Sequence, residues 1–448
     1  MLKGTTRRQF IKKAAGIGAA AVGAQHPAIP YVLGASPNAA LGVAVVGAGG
    51  MGGYSVGAAM SERIVAICDV DENNIAGAMK NIGERQKDKP APKVYHDYRK
   101  MLDECEKDLD VVLIATPDHN HAPAAIRAIK LGKAAFSQKP LAHDVRECYE
   151  LAKAAKAEKV LTQMGNQGHC GERIRRVCEY IWAGAVGNIT ATHTILGRNF
   201  GGSGGRPASK AVPKGLHWDE WLGPAAYRDY HDGLHPFSWR SWRQFGTGTI
   251  GDMACHNIDA LFWALKIGKA RRFTVECLSS KGGSKEMYPQ DNIIRWEVPA
   301  RADMPAVKVY VYDHEGLKPE IMKETESKHN RRFGEFTLFV GDDGLIGTDA
   351  RIIPEEKHKQ TPAPPKSIPR AHGGPIEDLF HAMKNDGTPC SNFIDSAGPL
   401  TAFALTGHLA MFAGVGKKLD WDVEKMQCTN MPEINRYVGR EYRAGWEV

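Results

Sequence analysis

The sequence contains no C-x-x-C pair, and its nine cysteines are odd in number and scattered along the chain, at positions 68, 105, 148, 170, 178, 255, 277, 390 and 428. This spacing disfavours both a disulfide framework and a structural zinc site. We therefore expect most of these cysteines to be buried thiols. His119, His121, His231 and His235 also lack a cysteine or carboxylate set at ligand spacing, so the sequence predicts no metal site.

Acidic residues are absent from the first 24 positions, which carry the five positive charges of Lys3, Arg7, Arg8, Lys12 and Lys13. The whole chain has a net charge of +7, so removing those five leaves +2. A balance this small argues against a nucleic-acid partner. A length of 448 residues, with 43% hydrophobic and 24% charged residues, is ordinary for a globular protein of two or three domains.

No apolar run has the length and purity of a membrane-spanning helix. The stretch from Pro399 to Gly416 approaches that length, but it contains His408, two threonines and an interior glycine. Those residues are typical of a helix in the protein core. The run from Ala14 to Ala24 is too short, since about 20 apolar residues are needed to span a bilayer.

The basic residues before that short run, followed by Pro27 and Pro30, predict a signal peptide. Residues 6–12, TRRQFIK, resemble the twin-arginine export motif. The resemblance implies a periplasmic or otherwise exported protein, delivered folded by the twin-arginine (Tat) machinery, with no stable membrane insertion after processing. We assign residues 1–35 to this signal and its linker, with cleavage after Ala24 or Ala35. A basic amphipathic helix lying on a membrane is the alternative, but the apolar residues run together instead of recurring every three or four.

Strands and helices alternate from Leu41 onward, which predicts an α/β fold with a parallel sheet. The predicted strands cover residues 41–46, 64–69, 110–117, 134–140 and 160–167. The predicted helices run from the glycine turn through Met60, and over residues 76–87, 123–132 and 147–159. We assign residues 36–165 to this Rossmann domain.

Residues 166–448 have a different character and predict an α+β domain with a large, mostly antiparallel open sheet and a C-terminal arm. A helix is predicted over 172–184, and strands of period two over 308–313 and 335–340, with a hairpin turn at 341–344. Residues 201–215 and 361–369 are rich in glycine or proline and are expected to be surface loops or an arm.

Gly47, Gly49 and Gly52 form the pattern G-x-G-x-x-G directly after a strand and at the start of a helix, a context typical of dinucleotide binding. The first glycine makes the tight turn, the second lets the backbone approach a diphosphate, and the third lets helix and strand pack closely. The helix N-terminus then faces the phosphates. We expect Gly50 and Met51, inside the same loop, to contact the cofactor as well.

Asp69 ends the second strand, about 22 residues after Gly47, where a carboxylate bonds the adenosine ribose hydroxyls and repels a 2′-phosphate. Val70 and Asp71 follow, with no adjacent arginine. The sequence therefore favours NAD over NADP.

Two later stretches, residues 115–142 and 246–265, resemble the Gfo/Idh/MocA family, which includes glucose-fructose oxidoreductase and inositol dehydrogenase. The family pattern Thr-Pro-x-x-x-His is found as Thr116, Pro117 and His121. Its Glu-Lys-Pro is found as Gln138, Lys139 and Pro140, with glutamine in place of the usual glutamate. Its Asp-x-x-x-His-x-x-Asp is found as Asp252, His256 and Asp259.

The resemblance covers about residues 42–422 and implies a Rossmann domain, an open-sheet domain, an active site between them, and a homodimer or homotetramer formed through the sheet. It implies that Thr116, Pro117, His121, Gln138 and Lys139 contact the cofactor. It also implies that Lys139, His256 and Asp252 are catalytic.

Hydride transfer from a secondary alcohol needs a group that takes the hydroxyl proton, and a histidine titrates in the right range. His256 is that candidate. If residues 251–265 are one helix, Asp252 and Asp259 lie on the same helix face as His256, where one carboxylate can fix the tautomer of the imidazole. The positive charge of Lys139 would stabilise the developing alkoxide.

Further candidates for substrate binding are Asn166 and Gln167 at the domain junction, Trp242 and Arg243, and a loop containing His231 and His235. Lys139, Asp252 and His256 belong to the same predicted substrate site.

Three functions fit these residues. The leading prediction is an exported, NAD-dependent oxidoreductase acting on a hydroxyl of a sugar, sugar derivative or cyclic polyol. The second is a glycoside hydrolase that works without net redox change, through a transient keto-sugar that acidifies the neighbouring C–H bond. The third is a ligand sensor that keeps the NAD site. The presence of Lys139 in its motif favours the dehydrogenase over the glycoside hydrolase.

Overall fold

The structure, a computed structural model, describes residues 40–333 and 336–448. The predicted signal peptide and its twin-arginine motif lie outside the described residues. So does Glu335, the first residue of the strand predicted over 335–340.

The first domain is built on a six-stranded parallel sheet with strand order β3-β2-β1-β4-β5-β6. The strands are β1 (Gly42–Val46), β2 (Arg63–Cys68), β3 (Lys93–Tyr95), β4 (Val111–Ile114), β5 (Ala134–Ser137) and β6 (Thr162–Met164). All residues of β1, β4 and β5 are buried, which explains their continuous apolar runs, because helices cover both faces of a parallel sheet. The predicted parallel α/β domain is confirmed.

Helices connect these strands: α1 (Gly52–Ala59), α2 (Glu72–Arg85), α3 (Tyr98–Cys105), α4 (His121–Lys130) and α5 (Val145–Glu158). Three of them begin at an aspartate whose carboxylate accepts a hydrogen bond from a backbone N–H of the first turn: Asp71 for α2, Asp97 for α3 and Asp144 for α5. Such caps satisfy donors that have no partner inside the helix. Because Asp71 caps α2, this helix begins four residues before the predicted residue 76. The sequence prediction also missed β3 and α3, since both are short.

The second domain is built on a nine-stranded sheet with strand order β13-β12-β11-β7-β10-β9-β8-β14-β15. Its strands are β7 (Ile189–Ile195), β8 (Arg272–Lys281), β9 (Gln290–Val298), β10 (Val307–Tyr312), β11 (Thr337–Gly341), β12 (Gly344–Gly347), β13 (Ile352–Ile353), β14 (Lys418–Asp422) and β15 (Gln427–Cys428). Only the β7–β10 pair is parallel. The predicted, mostly antiparallel sheet is confirmed, and β11 and β12 form the predicted hairpin.

The helices of this domain are α6 (Gln167–Cys170), α7 (Glu172–Trp182), α8 (Trp218–Leu222), α9 (Gly248–Asn257), α10 (Asp259–Ala264), α11 (Glu320–His329), α12 (Glu355–Gln360), α13 (Pro375–Lys384) and α14 (Gly398–Ala413). Where one helix was expected over 251–265, α9 ends at Asn257, Ile258 caps it, and α10 begins at Asp259. A π-helical turn, Phe393–Ala397, leads into α14.

The expected core helix over 399–416 is α14, which is almost entirely buried. It packs against α5 of the first domain and against α9 and β8 of the second. Within the described residues, no helix combines the length and apolarity needed to cross a membrane.

Helix α13 comes late in the chain but packs on the first domain. Its Ile376 and Leu379 join the core formed by Val43 and Val45 of β1. The Nζ of Lys384, at the end of α13, donates to Oε1 of Glu62 at 2.5 Å. The first domain therefore recruits a helix from residues 375–384, which the simple boundary at residue 165 does not include.

Candidate functional site

The glycine loop between β1 and α1 leaves no room for side chains on its inner side. Gly47 has a φ of 85°, and a Cβ there would lie 2.6 Å from the carbonyl oxygen of Ala115. A Cβ on Gly52 would lie 2.1 Å from the carbonyl oxygen of Gly47. These close approaches account for glycine at both positions, since real Cβ atoms do not come so near to backbone oxygens.

The outer side of this loop faces open space. A Cβ on Gly50 would meet no atom within 4 Å. No side chain caps the N-terminus of α1, so the positive end of its dipole is available to an anion. The loop residues Gly47, Gly49, Gly50 and Met51 all line one cleft. The loop therefore fits the diphosphate of a dinucleotide.

Asp69 holds the glycine loop in place. Its Oδ2 accepts hydrogen bonds from the backbone N–H of Ala48 at 2.6 Å and of Gly49 at 3.3 Å. Its Oδ1 accepts from the N–H of Asp71 and from Nδ2 of Asn74. The carboxylate is buried to 7% exposure but lines the cleft, at the end of the second strand, where the acidic residue of a Rossmann fold bonds the adenosine ribose.

The adenosine end of the cleft is covered by the long loop between β7 and α9, residues 196–247, here called the β7–α9 loop. The backbone N–H of Glu72 donates to the carbonyl oxygen of Gly215 at 2.9 Å. The ring of His217 stacks on His96 with centroids 3.6 Å apart. Nε2 of His235 lies 2.9 Å from the carboxylate of Asp71. The second domain is thus bonded to the first across the cleft.

A second cover comes from the C-terminal residues. The guanidinium of Arg99 lies 3.6 Å from the ring centroid of Trp446, which lines the cleft. Arg440 bonds Oε1 of Glu147, and Arg443 bonds Asp219 of α8. These contacts fix the C-terminal residues between the two domains.

The same cleft continues from the glycine loop to Lys139. Lys139 follows β5, and its Nζ donates to Oδ1 of Asp252 at 3.2 Å and to the carbonyl oxygen of that residue at 3.1 Å. Nε of Arg240 lies 3.3 Å from the same Oδ1. Asp252 on α9 therefore joins two cations at the cleft wall.

His256 lies one helical turn after Asp252 and beside this group, although it does not line the cleft itself. Its Nδ1 lies 2.9 Å from Oδ1 of Asn166. Nδ2 of Asn166 donates to the Cys255 carbonyl oxygen and to Asp259, so Oδ1 is the acceptor and Nδ1 of His256 is the donor. The lone pair of His256 is consequently on Nε2.

Burial and the positive charge of Lys139 lower the pKa of His256 to about 4, against the opposing effect of Asp252. The imidazole is therefore neutral at neutral pH, the form that accepts a proton.

The expectation that a carboxylate orients His256 directly was wrong. Asp252 is bonded to Lys139 and Arg240, and Asp259 is bonded to Nδ1 of His169 at 2.9 Å. The break between α9 and α10 turns Asp259 toward α6, and the fully buried Asn166 takes its place beside His256.

Asp118 is a site residue that the sequence analysis missed. It is 1% exposed, lines the cleft, and accepts a hydrogen bond from Oγ1 of Thr247 at 2.6 Å. Burial and the nearby charge of Asp252 raise the pKa of its carboxyl to about 7. Its place between Pro117 and His121, inside the quoted motif, was the available signal.

Gln138 also lines the cleft and is 4% exposed, yet neither Oε1 nor Nε2 of its carboxamide has a partner among residues 40–333 and 336–448. A buried, unpartnered polar group is costly. A ligand with hydroxyl or amide groups would satisfy it, which is a second reason why the cleft fits a dinucleotide. Thr116 and Pro117 line the same part of the cleft.

Four of the predicted site residues lie elsewhere. The two ring nitrogens of His121 lie 2.7 and 2.8 Å from the carbonyl oxygens of Pro140 and Thr116, so this residue positions the cofactor site from behind. Gln167 is exposed on α6. Trp242 donates to the carbonyl oxygen of Gly233, and Arg243 lies over Phe412.

Trp239, Phe237 and Arg240 take the place predicted for Trp242 and Arg243 in the cleft wall. The Arg240 guanidinium lies 4.2 Å from the ring centroid of Phe237 and 4.3 Å from that of Trp239. His235 also lines the cleft, whereas His231 is buried and bonded to Arg228.

Comparison with known proteins agrees with this architecture. Residues 41–166 match the family described as "Oxidoreductase family, NAD-binding Rossmann fold", and residues 190–284 match "Oxidoreductase family, C-terminal alpha/beta domain". The first domain is therefore an NAD-binding domain, as predicted.

Among curated proteins, "Glycosyl hydrolase family 109 protein 2" of Shewanella sp. (strain ANA-3) is 32% identical over 215 residues, which cover 40% of this chain and 47% of that protein. An "Alpha-N-acetylgalactosaminidase" of Shewanella oneidensis is 31% identical over 129 residues, 28% of each chain. The match thus spans less than half the length of these relatives.

Among solved structures, the WlbA dehydrogenase from Bordetella pertussis, in complex with NADH and UDP-GlcNAcA, matches with a TM-score of 0.56 and 16% identity. The match covers 85% of this chain and 98% of that one. At this identity the likeness shows a shared fold.

Proposed function

Residues 41–166 and 190–284 place this chain in the Gfo/Idh/MocA oxidoreductase family, and from that premise we propose that it oxidises a hydroxyl of a sugar, sugar derivative or cyclic polyol. The observation that carries the proposal is the single cleft that joins the glycine loop to Lys139. Such a cleft holds a dinucleotide at one end and the substrate at the other.

The glycine loop, Asp69, Thr116 and Gln138 would hold NAD, which when bound supplies a hydride acceptor for a C–H bond of the substrate. Lys139 donates a hydrogen bond to the substrate hydroxyl and stabilises negative charge on its oxygen. Asp252 keeps Lys139 oriented. His256, neutral with its Nε2 lone pair free, receives the hydroxyl proton.

The walls of the cleft favour a sugar over a small apolar alcohol. Phe237, which is 55% exposed, offers flat apolar surface to the C–H face of a sugar ring. Arg240 and Asp118 offer a donor and an acceptor to its hydroxyl groups.

A second candidate is glycoside cleavage without net redox change. In that reaction a transient ketone acidifies the neighbouring C–H bond, the glycosidic bond is eliminated, and the product is finally reduced. The covers formed by the β7–α9 loop and Trp446 favour a retained cofactor, which such a cycle requires. Two relatives named as glycoside hydrolases support it as well.

One experiment separates the two. Purified protein is incubated with NAD and a panel of free sugars, polyols and glycosides, while reduced-nicotinamide absorbance and product masses are followed together. A lasting rise in absorbance with a keto product supports the oxidoreductase. Glycoside cleavage that requires NAD but gives no net absorbance change supports the hydrolase. Lack of any conversion across the panel, with bound NAD present, would favour the ligand sensor.

We also propose that the protein is exported in the folded state and forms a homodimer or homotetramer. The twin-arginine-like residues 6–12 support export. Assembly through the sheet is supported by β9, where buried residues alternate with partly exposed ones, so that one face of the nine-stranded sheet is accessible. Fusion of residues 1–35 to a reporter, with Arg7 and Arg8 replaced by lysine as control, tests the first. Light scattering of the purified protein tests the second.

A further inference from the structure

Cys170 and Cys390 are the two cysteines that come together in this fold. Their Sγ atoms lie 3.4 Å apart although 220 residues separate them in the chain. Both are partly exposed, whereas the other seven cysteines are buried. Cys170 ends α6, and Cys390 lies between α13 and the π-helical turn.

The backbone around Cys390 is fixed to strand β6. The N–H of Ser391 donates to Oε1 of Gln163 at 2.7 Å, and the N–H of Met164 donates to the carbonyl oxygen of Ser391 at 2.9 Å. The N–H of Cys390 donates to Oδ2 of Asp378 at 2.9 Å. The two sulfurs are thus held near each other by structure that does not depend on them.

A disulfide needs a sulfur separation of about 2.05 Å, so closing the present gap of 3.4 Å requires an approach of about 1.4 Å. The surrounding exposure leaves room for such a side-chain rotation, because neither cysteine is enclosed. A small disulfide compound can reach the pair for the same reason.

The two thiols are not equivalent. The hydrogen bond from Cys170 and the positive charge of nearby His169 lower the pKa of Cys390, against the opposing effect of burial. The hydrogen bond to Cys390 and burial raise the pKa of Cys170. Cys390 therefore loses its proton first and is the better nucleophile.

We propose that Cys170 and Cys390 are a dithiol that is oxidised reversibly to a disulfide by exchange with a disulfide compound. The Cys390 thiolate attacks one sulfur of the donor, breaks its S–S bond and releases one donor thiolate. Cys170 then loses its proton and attacks Sγ of Cys390, which forms the protein disulfide and releases the second donor thiolate. The protein loses two electrons and two protons, and the donor is reduced to two thiols.

This bond would fasten α6 to the segment after α13. Helix α6 carries His169, whose Nδ1 bonds Asp259, and Asp259 in turn bonds Asn166 beside His256. The disulfide therefore stabilises the hydrogen-bonded residues that hold His256 in place, whichever substrate the protein takes. We expect the oxidised form to melt at a higher temperature than the reduced form.

A metal site is the competing explanation, since the Asp378 carboxylate lies within 4.8 Å of both sulfurs. Both oxygens of this carboxylate are already engaged. Oδ2 accepts from the N–H of Cys390 and from Nε2 of Gln163, and Oδ1 accepts from the N–H of His372. A structural zinc site has four ligands, and this group offers three donors, so the disulfide is favoured.

The test uses the full-length protein, exposed either to oxidised glutathione or to dithiothreitol, then unfolded, alkylated and mapped by mass spectrometry. We expect nine alkylated cysteines after reduction, and after oxidation seven, with peptides containing residues 170 and 390 joined. Nine alkylated cysteines after oxidation, or a linkage between other cysteines, would overturn the proposal. So would one equivalent of zinc in the purified protein that shields both thiols.

Variants test the order of attack. In Cys170→Ser, Cys390 should be trapped as a mixed disulfide with glutathione, and in Cys390→Ser much less glutathione should be bound at Cys170. Cys428→Ser, which removes a buried cysteine elsewhere, should leave the disulfide unchanged. Equal trapping in the two variants contradicts the assignment of Cys390 as nucleophile. If a variant fails to fold, the disulfide mapping of the natural protein still tests the proposal.

Discussion

Oδ1 of Asn166 accepts a hydrogen bond from Nδ1 of His256 at 2.9 Å. This contact sets which ring nitrogen keeps its lone pair, and Asp259 holds Asn166 in turn. An amide, and not a carboxylate, therefore orients the proposed base.

Replacing Asn166 tests that role. We expect Asn166→Ala to lower turnover about 10- to 100-fold, the usual cost of losing a group that orients a functional histidine, while NAD stays bound. The pH profile of turnover should change as well, because His256 loses its fixed tautomer. Asn257→Ala is the matched control, since this amide lies next to His256 on α9 but bonds the carbonyl oxygen of Ile195. Equal losses in the two variants would indicate a structural role only.

Lys139→Ala and His256→Ala should each reduce turnover at least about 100-fold, the scale of losing an electrostatic or acid–base contribution. Neither should release NAD, whose phosphates and adenosine lie at the other end of the cleft. NAD content is measured by chromatography of the denatured protein, with Lys130→Ala as a surface control. Full activity of either site variant would refute the site assignment.

Asp69→Ala should weaken NAD binding about 10-fold or more and relax the preference over NADP, because the carboxylate both faces the ribose and holds the loop N–H groups. Titration of cofactor-free protein with NAD and NADP measures both effects. Asp103→Ala, which removes an exposed aspartate paired with Arg127, should change neither. Unaltered NADP affinity would show that Asp69 acts only on the loop.

Asp118 should make stability depend on pH. Its pKa in the folded protein is about 7, above the ordinary value of 3.8. The folded state therefore favours the protonated form, and this stabilisation is complete below the ordinary pKa and lost as the pH rises through 7.

Asp118→Asn should therefore raise the free energy of unfolding by about 4 kcal/mol near pH 8 and change it little near pH 4. It should also change the pH profile of turnover. Asp313→Asn is the control: burial raises the pKa of Asp313 to about 7 too, but this carboxyl lies outside the cleft. Only stability should respond there. Denaturant unfolding at several pH values decides the matter.

His235→Ala should release NAD faster, by about 10-fold for the loss of a hydrogen bond to a charged group, because the ring bonds Asp71 across the adenosine end. Dissociation of bound NADH is followed by the loss of its fluorescence after a chase with excess NAD. His314→Ala removes a similar pair, with Asp291 at 2.8 Å, away from the cleft. An unchanged rate would mean that the β7–α9 loop does not limit release.

Local patterns predicted the fold well where one rule dominates. The glycine loop and the apolar strands made the first domain recognisable, and alternation made the second sheet recognisable. Helix α13 was not assignable to the first domain, because its apolar face reads the same whichever sheet it covers. Only the tertiary structure selects between them.

The motifs predicted which residues belong to the site, but the contacts that depend on the tertiary structure were assigned wrongly. Lys139 and Asp252 come together as bonded partners, but a break at Ile258 turned Asp259 away from His256. Trp242 and Arg243 were named as candidates and Trp239 and Arg240 were not, because nothing in the sequence distinguishes residues a few positions apart in a loop without regular structure. Gln138 and Asp118 were visible in the motifs. The sequence did not show that both side chains are buried, or that the carboxamide of Gln138 lacks a hydrogen-bond partner among the described residues.

The covers over the adenosine end also bear on how this chain can be engineered. Residues that enclose that end come from the Rossmann domain, from positions 215–235 and from the C-terminal residues near Trp446. A graft of residues 41–166 onto a different second domain would keep the glycine loop and Asp69 but lose the residues that cover the adenosine end. We therefore expect cofactor retention to depend on both domains and on the C-terminal residues together, so that neither domain can be exchanged alone.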